Sequence, residues 1–497
     1  MKKPGDLKFI SSLMKYGLLI GALSYFIVFI IIALCRIRYP FELEWLEGGT
    51  LEQVRRILSG QKLYVSPSLK FVPFIYTPLY FYISAAVSKV SGIGFSSLRL
   101  VSLTASLGCF LIIFFIVKQE TRDTFAAILA SCLFVATFRI CGAWFDIARV
   151  DSLFLALLLA ALYELKFKDS SKSSIGAGIF ISLSFLTKQI ALFISLPIMI
   201  YCLLVRRRSS IYLLGTVGVI IGVSTFLLDY FHNGWYSYYI FYLPRQHGIL
   251  KSAFFYFWSY DLRPISIAIA MSILYLFIQF WYKAKENYLF YFLSAAGMIG
   301  GAWLSRLHSG SYDNVLLPAC AIISILFGLS VHSIFQLILA APANSRSLIE
   351  LYVYLVCIIQ FACLIYNPFK QIPNQWDLEA GKKFITQITQ IKGNVFIPYH
   401  PYLATLANKS SFAHAMAMSD IIRGDKGEVK EELVNQVREA LRGKTFSAIF
   451  LDSKQNWFQE EVDRYYRPIR YPIFNTETAF RPVTGGNTRP EFVYVPR

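Results

Sequence analysis

The stretch Phe41-Glu-Leu-Glu-Trp-Leu-Glu47 places three carboxylates and a tryptophan directly after the first long apolar run of the chain. Like charges beside a membrane repel one another and resist desolvation, so Glu42, Glu44 and Glu47 cost stability unless they are put to use. Glu44 and Glu47 are three apart and share one face if the segment is helical, with Trp45 beside them. Paired carboxylates so placed can deprotonate a hydroxyl or hold a divalent metal cation. The plain alternative is that they cap a helix over Gly48–Leu58, because acids favour helix N-termini. Glu42 can also simply be solvated.

Two further groups carry chemistry. Asp146 and Asp151 flank Arg149 at the junction of two apolar runs. A charge that close to hydrocarbon is functional by default, although an Arg149–Asp pair that only anchors a helix end is cheap and common. Arg139, Arg149, Lys188, Arg245 and Arg306 fall at outer ends of apolar runs, where the positive-inside tendency disfavours them. Such cations can bind a phosphate and stabilise it as a leaving group, or they can snorkel toward headgroups. The aromatic run from Tyr230 to Arg245 can stack on sugar rings or flank a prenyl chain, but an interfacial belt is its commoner use. The turn from His308 to Asp313 adds a histidine and an acid, and its plain reading is a connector.

What must position these groups is a membrane-embedded scaffold. Of 497 residues, 56% are hydrophobic and 16% aromatic, a balance typical of a multi-spanning chain. Apolar runs recur from Tyr16 to Tyr366 and then stop, which divides the protein into a membrane region over 1–366 and a soluble region over 367–497. The first run closes at Arg36 without a small-residue cleavage site and reads as a retained helix. The net charge of +18 is scattered over helix ends and forms no stripe, which argues against a nucleic-acid partner. None of the eight cysteines lies in the soluble region, and no Cys-x-x-Cys pair occurs.

Basic clusters at Lys2/Lys3/Lys8/Lys15, Lys118/Arg122, Lys166/Lys168/Lys172, Arg206–Arg208, Lys283/Lys285 and Arg346 mark cytoplasmic ends. They fit spans near 16–35, 98–117, 124–143, 152–166, 175–187, 190–205, 211–228, 264–282, 287–304, 314–332 and 348–366, about eleven with the N-terminus inside. The expected fold is an α-helical polytopic membrane protein with a C-terminal extracytoplasmic α/β domain. The apolar segment Phe71–Gly92 would invert this order if it crossed, so it is read as interfacial or re-entrant, in keeping with Pro73, Pro78 and its tyrosines. Thr187-Lys188-Gln189 then forms an external hairpin turn, and all the unusual polar clusters face the outer side. No internal repeat is visible.

In the soluble region, Trp376–Ile391 and Glu428–Arg442 read as helices, and Val395–Pro398 and Phe446–Leu451 as strands. His400, His414 and Asp420 match no metal spacing, and the histidines read as surface or partly buried. Asn408-Lys-Ser410 is a formal glycosylation sequon.

At these residues the chain resembles the GT-C superfamily of integral-membrane glycosyltransferases, in particular the bacterial relatives of protein O-mannosyltransferases and of the lipid A aminoarabinose transferase. The signature of that family, an Asp-Glu pair followed by Ala-Arg, a Gly and a Tyr, is met by Leu46-Glu47, Val54-Arg55, Gly60 and Tyr64. Its Lys-Pro-Pro-Leu-Tyr is met by Tyr76-Thr77-Pro78-Leu79-Tyr80, and the acid of its second external loop by Asp151. The resemblance spans roughly residues 15–330. Two departures stand out: Leu46 replaces the Asp of the pair, and Tyr76 replaces the phosphate-binding lysine.

The resemblance implies an inverting transfer of a sugar from a polyprenyl-phosphate donor to a hydroxyl of a lipid, glycan or protein acceptor at the outer face of a bacterial inner membrane. Glu47 or Glu44 would be the base, and Asp151 would orient the acceptor or bind a metal. Another cation, from among Arg149, Lys188 and Arg306, would replace the missing lysine, with Arg245, Tyr76 and His308 completing the binding surface. The soluble region would help bind the acceptor. A transporter or flippase of lipid-linked sugars is the competing class, disfavoured by charges gathered near one face and by the lack of inverted halves. A sensor is disfavoured by short cytoplasmic loops.

Overall fold

The computed structural model describes residues 4–282, 284–340, 342–469, 473–474 and 479–497. Lys2, Lys3 and Lys283 of the basic clusters lie outside them. The membrane region is built from α1 (Pro4–Ile37), α2 (Glu47–Leu58), α3 (Leu79–Ser91), α4 (Phe95–Thr121), α5 (Thr124–Ala136), α6 (Asp151–Phe167), α7 (Ser171–Thr187), α8 (Ile190–Val205), α9 (Arg207–Phe231), α10 (Ser266–Trp281), α11 (Lys285–Leu307), α12 (Leu317–Ala340) and α13 (Ala343–Ala362). Short α, π and 3-10 turns fill 235–265 between α9 and α10.

Among the described residues, six helical stretches are long and apolar enough to cross a membrane, from Phe9–Ile37 to Asp313–Leu339, and α5 and α8 are shorter apolar helices. Local chemistry sets several boundaries. Asp123 caps α5 by accepting from the N–H groups of Phe125 and Ala126, and Ser170 with Ser173 forms a capping box on α7. The expected span 124–143 is cut short at Ala136. Gly142 and Ala143, with φ of 75° and 57°, turn the chain there into an irregular loop that runs to Val150.

The helices pack closely where small residues face a neighbour. A Cβ on Gly301 of α11 would stand 2.3 Å from Ile194 of α8, and one on Gly328 of α12 would stand 2.7 Å from Ala130 of α5. By contrast α9 buries only Ser210, Leu213 and Val217 and exposes Val219 and Phe226, an apolar surface suited to lipid.

The two ends of the bundle differ. At one end Lys166 pairs with Glu120 at 3.1 Å and Arg206 donates to the Leu165 carbonyl at 2.6 Å. At the other end Arg99 in the first turns of α4 donates to the Arg36 carbonyl at the close of α1 at 3.0 Å. The segment 38–94, with α2 and α3, therefore leaves and rejoins the bundle at the same end. The loops 137–150, 188–189, 232–265 and 308–316 gather there as well.

The soluble region covers that end. Among its described residues four strands, β1 (Asn394–Phe396), β2 (Phe446–Leu451), β3 (Tyr466–Ile469) and β4 (Phe492–Pro496), form a sheet of order β1-β2-β4-β3, with β1 parallel to β2 and the other pairs antiparallel. β2 is buried at every position but Ser447, as a central strand covered on both faces should be. The helix Glu428–Arg442 sits in the parallel crossover and buries Leu433, Val437 and Leu441, one stripe at helical spacing. One apolar cluster runs from this domain into the segment 41–101, so the domain and the bundle end share a core.

Candidate active site

Glu42, Glu44 and Glu47 are all buried, at 0% to 6% exposure, and none is solvated at a surface. Their surroundings differ. Glu47, the first residue of α2, is saturated: Arg99 grips it with Nε at 2.9 Å and Nη2 at 2.7 Å, and the N–H groups of Leu43 and Ala148 each donate at 2.6 Å. Arg99 spends its remaining hydrogens on the carbonyls of Arg36, Tyr39 and Phe41. These four bonds use the acceptor capacity of the Glu47 carboxylate.

Glu42 accepts from the Gly48 N–H at 3.0 Å and meets His400 Nδ1 at 2.5 Å. The other nitrogen of His400 meets Asp452 at 2.8 Å. Burial resists charge on that imidazole, but Asp452 and Glu42 outweigh it and hold His400 protonated. His400 and His414 are thus fully buried, at 3% and 4% exposure, where a surface or partly buried placement was expected. The docking of the soluble domain, which periodicity cannot reveal, buries them.

Glu44 alone is unspent. Its Oε2 accepts from the Leu46 N–H at 3.1 Å, while Oε1 is buried without a partner among the described residues. Burial pushes its carboxyl up to about 8, with Arg149 opposing and Glu47 adding to the rise. The neighbouring Trp45 is fixed by His414, whose Nε2 meets the Trp45 carbonyl at 3.2 Å and whose ring lies 5.3 Å from the indole.

Glu44 lines a cavity of about 780 Å³ between the bundle end and the soluble domain. Arg149 and Tyr76 share its wall. Arg149 Nη2 donates to the Tyr76 hydroxyl at 2.9 Å, and the guanidinium lies over Trp144 at 4.9 Å and over the Tyr76 ring at 5.2 Å. Its Nε and Nη1 are buried with no partner among the described residues. Asp146 and Asp151 do not pair with Arg149, contrary to the anchoring alternative. Asp146 pairs with Arg36 at 2.9 Å, and Asp151, in the first turn of α6, accepts from Lys188 at 2.7 Å and from Asn314 at 2.8 Å. Lys188 and Asn314 reach the cavity wall and Asp151 stands behind them.

The remaining candidates divide. Arg245 and His308 line the cavity. Arg306 does not, and it is committed to Asp261 at 2.7 and 2.8 Å and to Asp313 at 3.2 Å. Arg139 is exposed. His308 Nε2 meets His247 Nδ1 at 3.2 Å, and burial lowers the affinity of both rings for protons. Sequence reading missed Arg99, Asn314, and the Asp420–Arg423 pair of the soluble domain that also reaches the cavity. Arg99 did carry a signal, because it breaks the positive-inside tendency at the start of its span as Arg149 does. Among the described residues, no group of three or more His, Cys, Asp or Glu side chains is arranged to hold a metal ion.

Comparison with known proteins agrees with this architecture. Two crystal structures of ArnT from Cupriavidus metallidurans superpose on most of the chain, each at 12% identity. The apo form gives a TM-score of 0.54 and covers 86% of this chain and 92% of ArnT. The form bound to undecaprenyl phosphate gives 0.59 and covers 95% and 98%. The fold is GT-C. Residues 75–228 of this chain, less than half of it, match the family model described as dolichyl-phosphate-mannose-protein mannosyltransferase. No individual curated protein matches the sequence. The matched stretch contains Tyr76, Arg149, Asp151 and Lys188, the cationic side of the cavity; the carboxylate segment 41–47 lies outside it.

Proposed function

We infer that this protein transfers a sugar, a hexose or a pentose, from a polyprenyl-phosphate donor to a hydroxyl of a lipid, glycan or protein acceptor, with inversion. The observation that carries this reading is the meeting, in one cavity, of a carboxyl oxygen on Glu44 and two guanidinium nitrogens on Arg149 that have no partner among the described residues. Support comes from the undecaprenyl phosphate bound by ArnT and from the lipid-phosphate sugar named in the matching family.

In this reading Glu44 Oε1 takes the proton of the acceptor hydroxyl as its oxygen attacks the anomeric carbon. The bond from that carbon to the phosphate oxygen breaks on the opposite side, and its electron pair leaves with the lipid phosphate. One displacement inverts the centre. Arg149 and Lys188 meet the charge that grows on the departing phosphate, which is where preorganised cations contribute most. Asp151 positions Lys188, and Glu47 with Arg99 fixes the segment that carries the base. The cavity faces the extracytoplasmic side of a bacterial inner membrane, with the soluble domain outside.

The test is incubation of the purified, lipid-reconstituted protein with a panel of polyprenyl-phosphate sugars and hydroxyl acceptors. Consumption of one donor with a glycosylated product of opposite anomeric configuration is expected. Movement of intact lipid-linked sugar across the bilayer with no product would overturn the reading in favour of a transporter. A reporter fused after Lys118 should report a cytoplasmic location.

A further inference from the structure

The stretch Phe480–Gly486 of the soluble domain runs alongside the carboxylate segment, residue against residue. The Phe480 ring meets Phe41 edge-on, with centroids 5.0 Å apart. Val483 packs on the small cluster of Leu43, Trp144 and Ile147. The Thr484 N–H donates to the Leu43 carbonyl at 3.1 Å, and the Thr484 hydroxyl donates to the Gly142 carbonyl. Gly485 lies so close to Glu44 that a Cβ would fall 2.6 Å from Cγ and 3.0 Å from Oε1, and its φ of 76° disfavours any other residue. A Cβ on Gly486 would stand 3.4 Å from the Trp45 indole nitrogen.

The strap is one of several attachments of the domain. Attachment is also supplied elsewhere, by His400 on Glu42, by Thr405 and Ser411 on Glu52 at 3.0 and 2.7 Å, and by the Ala413 N–H on the Leu69 carbonyl at 2.9 Å. What the strap adds is specific to the site. Thr484 joins the backbone next to the base, at Leu43, to the loop 137–150 that carries Arg149. Gly485 covers the Glu44 side chain with backbone where any larger residue would displace it.

We propose that Thr484 and Gly485 are positioning residues for Glu44, fixing its carboxyl relative to Arg149 and keeping water from its covered side. This rests on the reading of Glu44 as the base. A gap of about 1 Å in such a site costs on the order of a hundredfold in rate, and a carboxyl that regains water moves back toward the ordinary range.

The experiment uses the full chain in lipid nanodiscs. Protonation of Glu44 is followed by pH-difference infrared spectroscopy, its band assigned by loss in Glu44→Gln, and kcat and KM are measured with the donor consumed by the wild type. Thr484→Val, which removes the hydroxyl with little change of shape, is expected to lower the Glu44 midpoint by about one pH unit or more. It should also lower kcat about tenfold or more with KM nearly unchanged. Thr484→Ser should restore both, and Gly485→Ala should move both in the direction of Thr484→Val. An unchanged midpoint and an unchanged kcat in Thr484→Val overturn the proposal, even if Gly485→Ala fails to fold. A midpoint that falls in a protein that consumes no donor upholds the positioning of Glu44 and removes the transferase reading instead.

Discussion

The Tyr76 hydroxyl accepts a hydrogen bond from Arg149 Nη2 at 2.9 Å, and the Tyr76 ring lies 5.2 Å beneath the same guanidinium. Tyr76 stands where the resemblance would place a phosphate-binding lysine. The tyrosine has no charge to offer, but it holds a cation that does. Its backbone is fixed in turn, because the Tyr64 hydroxyl donates to its carbonyl at 2.7 Å. The two side chains, from different loops, thus form one unit on the cavity wall.

Removing that hydroxyl therefore has a defined expected effect. Tyr76→Phe should weaken binding of polyprenyl phosphate about tenfold, the equivalent of one charge-assisted hydrogen bond of about 1.5 kcal/mol. Arg149→Lys should weaken it further, since an ammonium cannot engage two phosphate oxygens in the planar manner of a guanidinium. Binding to the reconstituted protein checks both; unaltered affinity in Arg149→Lys would remove the phosphate from this site.

Glu44 and Glu47 should separate cleanly on substitution. Glu44→Gln should leave insertion and donor binding intact and reduce kcat by a factor of about 10² to 10⁴, the usual contribution of a general base. Glu47→Gln should instead destabilise the protein by about 3–5 kcal/mol, because it leaves the buried Arg99 guanidinium without its counter-charge. Thermal unfolding of the detergent-solubilised variants, measured beside their turnover, tells the two effects apart. Full stability in Glu47→Gln would contradict the structural role assigned to the Arg99 pair.

The pH dependence follows from the sign of the Glu44 shift. Burial raises its carboxyl to about 8, and only the ionised form can take a proton. Activity should therefore climb as pH rises and level off above about 8, with kcat/KM at pH 6 about a hundredfold below the plateau. A profile already flat from pH 5 upward would exclude Glu44 as the base.

Asp151 and Lys188 should behave as one unit. Asp151→Asn frees Lys188 from its 2.7 Å partner, so donor affinity should fall in that variant and in Lys188→Met, while the double variant falls little further. A double-mutant cycle on donor binding should give a coupling of about 1 kcal/mol or more. Strict additivity would mean that Asp151 acts without Lys188.

Much of the bundle was legible in the sequence because hydrocarbon makes secondary structure local. Every backbone group in a span must be satisfied within its own helix, so an apolar run with basic ends announces both its limits and its direction. The helices 190–205 and 428–442 and the strand 446–451 fall where pattern alone puts them. The span expected over 124–143 ends seven residues early because Gly142 and Ala143 turn the backbone under Trp144 and Tyr312, whose rings stack at 5.2 Å.

The sequence by itself determined that carboxylates, cations and aromatic residues converge at one end of a helical membrane protein, since charge and hydropathy are carried by the chain in order. Only the tertiary structure decided which carboxylate is free. Glu44 and Glu47 differ through Arg99, fifty-two positions along from Glu47, through the Ala148 N–H and through a strap from the soluble domain. The ionisation and reach of a buried carboxyl depend on the groups within a few ångströms of it. Those neighbours are distant along the chain and meet only when it folds.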